Sequence, residues 1–169
     1  MSEKSVAEKH PKSKALIRFS DCDPLGHLNN ARYLDYFINA REDHLRHYFG
    51  LDIYKLSQTH GFAWVVTQNQ IAYFKPANLN EEVVIESAVI GYDEYSVTAE
   101  LKMWDEGHKK LKSILWTKFV SINLATKKKF PIPGDIIELI KNVIVDNIRI
   151  EKGFDHRVGE IYQLLKSGA

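Results

Sequence analysis

Two carboxylates, a histidine and two asparagines fall within ten positions of the segment Phe19-Ser20-Asp21-Cys22-Asp23-Pro24-Leu25-Gly26-His27-Leu28-Asn29-Asn30-Ala31-Arg32-Tyr33. An aspartate is ionised at neutral pH, so it can attack a carbonyl carbon or take the proton from a water that does. If a helix starts at the end of this segment, its first backbone N–H groups lack intrahelical acceptors, and with the macrodipole they can hold a developing oxyanion. Carboxylate and helix start together are the ingredients of acyl transfer. The same residue types also build ordinary turns: Asp-x-Asp reads equally as turn and cap chemistry, and His27 alone as a hydrogen-bonded loop residue. Asp21, Asp23 and His27 form no established ligand spacing, so no metal is expected. Cys22 sits between two aspartates that disfavour its thiolate and is not expected to be a nucleophile.

The elements that must position this loop are legible from periodicity. A strand is expected at Ala15-Leu-Ile-Arg-Phe19. After the loop, Leu34, Phe37, Ile38, Leu45 and Tyr48 recur at helical spacing from Asn30 to about Tyr48, with Asn29 or Asn30 as N-cap and Gly50 as the stop. The period then changes to two in Phe62–Val66 leading into Ile71–Tyr73, then in Glu82–Ile90, Tyr95–Met103 and Lys112–Val120. Short joins between consecutive strands predict an antiparallel meander. Trp64, Trp104 and Trp116 lie in these strands and read as core or interface residues. Past Phe130-Pro-Ile-Pro-Gly134, Asp135 is expected to cap a helix carrying Ile136, Ile137, Ile140, Val143 and Ile144, and Val158–Leu165 forms a last amphipathic stretch.

A chain of 169 residues with 44% hydrophobic content supports one packed core. With 23 Lys+Arg against 22 Asp+Glu there is no global field to hold nucleic acid or an anionic membrane. One cysteine excludes an internal disulfide framework and suits a reducing compartment. The start MSEKSVAEKHPKSK lacks the apolar stretch of a secretory signal, and the protein is expected to be cytoplasmic, with residues 1–13 as a flexible tail.

Asp23-Pro-Leu-Gly26-His27-Leu-Asn29-Asn30-Ala-Arg-Tyr33 resembles the D-x-x-G-H-x-N-N-x-x-Y signature of hotdog-fold acyl-CoA thioesterases of the 4-hydroxybenzoyl-CoA thioesterase-like branch. Ile71-Ala-Tyr73-Phe-Lys-Pro76, turning into Glu82–Ile85, is similar to the family's second recurring segment. The resemblance spans residues 15 to about 135. It implies an α+β hotdog fold, an antiparallel β-sheet wrapped around one long α-helix, over residues 14–135. A C-terminal helical extension, 136–169, would then pack on the domain or on a neighbouring subunit. It also implies a homodimer or homotetramer with sites at the subunit interface, an acyl-CoA substrate and no cofactor.

Carried over by residue, Asp23 takes the place of the catalytic carboxylate, as general base or nucleophile, and the backbone amide of Asn30 that of the oxyanion donor. His27 and Asn29 hold positions that some relatives, including plant acyl-carrier-protein thioesterases, use to orient water or substrate. Those plant enzymes have an Asn where Leu25 stands here. Gly26 would allow close approach of substrate, and Tyr33 and Tyr73 would wall its pocket. Branches differ in where the essential carboxylate lies, so Glu42 on the long helix is a lesser candidate. Lys127–Lys129 reads as a solvated turn, or as a contact for coenzyme A phosphates. A thioester suits such a site, because its thiolate leaves without much protonation. The alternatives are an acyl-carrier-protein thioesterase and a non-catalytic acyl-CoA-binding or assembly domain.

Overall fold

A computed structural model describes residues 7–168. The first strand, β1 (Lys12–Leu16), begins three residues before the expected Ala15 and ends at Leu16. Of the segment expected to be a tail, residues 1–6 lie outside the described residues. Pro11 is buried and its carbonyl accepts from the Ser87 N–H at 3.1 Å.

The long helix forms where its period predicts. A 3-10 turn, Asn30–Arg32, opens it, and α1 (Tyr33–Phe49) follows. Asn29 is the cap: its side-chain oxygen accepts from the Ala31 N–H at 3.0 Å. Tyr33, Phe37, Ala40 and His44 share the buried face. Gly50 stops the helix with φ +63°, its N–H donating to the Arg46 and Leu45 carbonyls. A short helix that periodicity missed, α2 (Ile53–His60), comes next, with Asp52 accepting from the Lys55 N–H at 3.1 Å.

Four strands follow: β2 (Phe62–Tyr73), β3 (Glu82–Tyr92), β4 (Ser96–Asp105) and β5 (Leu111–Asn123). The sheet order is β1-β3-β4-β5-β2, with every pair antiparallel. This corrects the simple meander, which holds only for β3–β4–β5. The segment 74–81 is no hairpin; it crosses the end of the sheet from β2 to β3, with β5 and β4 lying between them. Three inter-strand steps of about 4.8 Å make a span of roughly 14 Å, well inside the ~27 Å reach of eight extended residues. Ala77 is wholly buried in that crossing and acts as its anchor.

α1 lies on one face of the sheet in a core containing Ile17, Leu28, Phe37, Ile85, Leu101, Met103 and Leu115. On the other face Ala88, Ile114 and Trp116 pack against Val145, Ile148, Phe154 and Ile161 from the C-terminal segment. That segment holds α3 (Gly134–Val143) and α4 (Phe154–Lys166). Asp135 is not the cap of α3; Pro133 occupies that position with extended backbone and makes no side-chain bond, leaving Asp135 in the first turn. A buried ion pair fastens α4 to the sheet. Arg157 donates from Nε and Nη2 to the two carboxylate oxygens of Glu100, both at 2.9 Å, and Trp116 Nε1 adds a third bond at 2.8 Å.

Candidate active site

The loop between β1 and α1 is held mostly by its own backbone. Asp23 Oδ1 accepts from the Leu25 N–H at 2.8 Å and the His27 N–H at 3.1 Å, while the Asp23 N–H donates to the His27 carbonyl at 2.8 Å. Gly26 turns the chain with φ +75°, a conformation that costs a residue with a side chain. A Cβ there would meet nothing within 4 Å, so the glycine serves the turn and not a tight approach within this chain. The loop is then sewn to the 74–81 crossing: the Leu28 N–H donates to the Ala77 carbonyl at 2.8 Å, and the Leu79 N–H to the Gly26 carbonyl at 2.9 Å.

These bonds separate the two carboxylates. Asp21 is occupied by Tyr36, whose hydroxyl donates to Oδ2 at 2.8 Å. Asp23 is anchored through Oδ1 alone, and among the described residues its Oδ2 accepts no hydrogen bond. A carboxylate fixed at one oxygen and free at the other is what a base or nucleophile requires.

The helix start supplies a complementary donor. Asn29 spends its side chain on the cap, and among the described residues the Asn30 N–H has no acceptor. Tyr73, 38% exposed on edge strand β2, donates its hydroxyl to the Asn30 carbonyl at 3.1 Å and so fixes the peptide that follows. Tyr33 is sealed in the core at 2% exposure; its hydroxyl accepts from the Ala77 N–H at 3.1 Å, and Tyr73 meets it edge-on at 5.0 Å. Tyr33 thus supports the site from below. The His27 ring makes no hydrogen bond among the described residues, and its backbone bridges to Asn78.

Other sequence candidates are not brought to the loop. Glu42 pairs with Arg46 at 3.1 Å on the exposed side of α1. Burial, then the charges of Asp23 and Asp21, push the Cys22 thiol up, against nucleophilic use. The turn carrying Lys127–Lys129 follows Asn123, which lies opposite Phe62, whereas Tyr73 lies opposite Ser113. The lysines therefore sit at the far end of a strand that spans about 36 Å at 3.3 Å per residue.

Asp23, His27, Asn29 and Asn30 line none of the principal cavities found among the described residues. The loop instead faces outward between two exposed apolar side chains, Phe19 at 82% and Leu25 at 78%. A separate apolar cavity of about 260 Å³ lies between α1, α2, β2, β4, β5 and α3, walled by Ile38, Leu45, Leu56, Trp64, Phe119 and Ile140 among others. Arg41 is the only polar residue in its lining. The sequence reading missed Arg41, although a signal was present: it interrupts an apolar stripe of Leu34, Ile38 and Leu45 at helical spacing.

The family model of the thioesterase-like superfamily matches residues 17–140, from the end of β1 into α3. The chain belongs to the thioesterase-like superfamily. Among curated proteins, the long-chain acyl-CoA thioesterase FadM of Escherichia coli (strain K12) is 28% identical over 130 residues, covering 76% of this chain and 95% of that protein. Among solved structures, the probable thioesterase YbaW from Escherichia coli superposes with a TM-score of 0.69 at 26% identity, covering 79% of this chain and 98% of that one. Slr0204, a 1,4-dihydroxy-2-naphthoyl-CoA thioesterase from Synechocystis, gives 0.72 at 18% identity over 78% and 96% of the two chains, a likeness of fold. The fold is the hotdog arrangement expected from the motif, a five-stranded antiparallel sheet on one long helix. No helix among the described residues is long and apolar enough to cross a membrane.

Proposed function

We propose that this superfamily member hydrolyses acyl-CoA thioesters, with Asp23 as its reactive carboxylate and the Asn30 amide as its oxyanion donor. The observation that carries this reading is the pairing of a carboxylate oxygen and a helix-start N–H, both without partners, in one braced loop. Asp23 Oδ2 takes a proton from water as the water oxygen bonds to the thioester carbonyl carbon. The Asn30 N–H stabilises the oxyanion. Collapse then breaks the C–S bond, releasing coenzyme A as thiolate and the acyl group as acid. Lys75, exposed near the loop, supplies local positive charge for an anionic substrate, whereas Arg32 is paired with Asp35 at 3.1 Å.

The active unit in this proposal is a homodimer. β2 is an edge strand of twelve residues with one side unpaired, and such edges are normally covered or paired. Joining two copies along β2 would bury Tyr73, and the exposed Phe19 and Leu25 would then rim a closed substrate channel.

A thiol-release assay over acyl-CoAs from acetyl to palmitoyl, with aryl-CoAs and acyl-carrier-protein thioesters alongside, tests the reading. Release of coenzyme A from at least one class is expected. No turnover of any CoA thioester contradicts it, and turnover confined to the carrier-protein thioesters moves the assignment to that substrate.

A further inference from the structure

Every wall of the 260 Å³ cavity is apolar except at Arg41. Its Nε is sealed from solvent without a hydrogen-bond partner, and among the described residues no carboxylate pairs with the guanidinium. Neighbouring acids on α1 face elsewhere: Glu42 is engaged by Arg46, and Asp43 lines the separate groove along β1. Burial pulls Arg41 down to about 10, which still leaves it charged at neutral pH. The residue as a whole is half-buried, so a cation partly withdrawn from water is left without a counter-charge, which is unfavourable. A fold keeps such a group where a ligand supplies the missing charge.

We propose that this cavity is the acyl pocket and that Arg41 selects acyl-CoAs whose acyl chain ends in a second carboxylate. The inference rests on the thioesterase reading. Leu34, Ile38, Arg41 and Leu45 form one stripe down α1, which starts beside the Asn30 amide. Arg41 follows Asn30 by eleven positions, about 16 Å along the helix at ~1.5 Å per residue. Helical side chains lean back toward the helix N-terminus, which shortens the gap. An extended chain advances about 1.2 Å per bond, so a carbonyl held at Asn30 places the far end of a chain of about ten carbons at the guanidinium. A guanidinium binds a carboxylate through two parallel N–H donors, a geometry that a hydrocarbon terminus leaves unmet.

The experiment compares kcat/KM for decanedioyl-CoA and decanoyl-CoA in the wild type and in Arg41→Met. The wild type is expected to favour the dicarboxylyl substrate by at least about tenfold, because a site built for a polar group rejects its apolar analogue. Arg41→Met brings the ratio to one or below and raises turnover of decanoyl-CoA. A wild-type ratio at or below one, or a ratio that survives the substitution, overturns the proposal. Arg41→Gln, which removes charge but keeps polarity, is judged by the same ratio if the methionine variant does not fold. A smaller assembly of Arg41→Met in analytical ultracentrifugation assigns the arginine to a subunit contact and also overturns it. If the wild type cleaves neither thioester but releases coenzyme A from another class, the acyl-pocket assignment is overturned; if it cleaves no CoA thioester at all, the thioesterase reading fails separately, and calorimetry with decanedioate decides the pocket. Saturable binding weakened at least about tenfold in Arg41→Met supports Arg41 as a carboxylate receptor, whereas absent or equal binding rejects it.

Discussion

Arg157 and Arg41 are both partly withdrawn from water, and the chain treats them in opposite ways. Arg157 forms a fork-to-fork pair with Glu100, itself 3% exposed, and Trp116 and Lys102 complete the carboxylate's surroundings. Burial pushes the Glu100 carboxyl up, but Arg157, Lys102 and the Trp116 N–H outweigh it, and the net direction is down. This cluster joins α4 to the sheet and engages both carboxylate oxygens of Glu100. Arg41 has no such partners and opens on an apolar cavity. A buried charge that the fold satisfies is a fastening; one that it leaves unsatisfied is available to a ligand.

Substitution should separate the two. Arg157→Leu strands the Glu100 carboxylate and is expected to cost about 3–5 kcal/mol of stability, read from denaturant midpoints. Adding Glu100→Leu should restore much of that loss, since no uncompensated charge then remains. The next effect concerns His44, 1% exposed between Ser87 Oγ at 2.8 Å and Ser13 Oγ at 3.0 Å. Burial first, then the charge of Arg41, pulls it down to about 4. Below its ordinary value of ~6.5 the unfolded chain takes up a proton that the folded chain refuses. Stability therefore falls as pH drops from ~6.5 toward 4, by an amount on the order of 3 kcal/mol, and the slope should flatten in His44→Gln. Removing Arg41 should also raise the His44 pKa and narrow that window. The smallest effect is the most discriminating: Arg41→Leu should be neutral or stabilising by about 1 kcal/mol, opposite in sign to Arg157→Leu. If both variants lose several kcal/mol in thermal or chemical denaturation, the contrast between the arginines is broken.

What the sequence revealed follows from how local each feature is. The motif loop and α1 are contiguous, so Asn29 as cap, Gly50 as stop and the helix period could be read directly. Strand positions were also legible, but the placement of β2 beside β5 was not, because it depends on a crossing stabilised by Ala77 and Tyr33, 44 positions apart. α2 was missed because eight residues are too few to show a helical period. Asp21 and Asp23 looked alike in the local chemistry, and the motif resemblance favoured Asp23. The structure adds the physical difference: a distant hydroxyl, Tyr36, takes up the first and leaves the second with a free oxygen. Glu42 differs for a similar reason, since Arg46 pairs with it one turn further along the helix. The cavity could not be foreseen, because residues from six elements meet to form it.

Asp23→Asn gives the most direct test of the central claim. The amide keeps an oxygen for the Leu25 and His27 N–H groups, so the turn survives and only the charge and basicity at the free position are lost. Thiol release should show kcat lower by on the order of a hundredfold to ten-thousandfold with an unchanged circular dichroism spectrum. Full activity in Asp23→Asn would contradict the assignment of the reactive carboxylate.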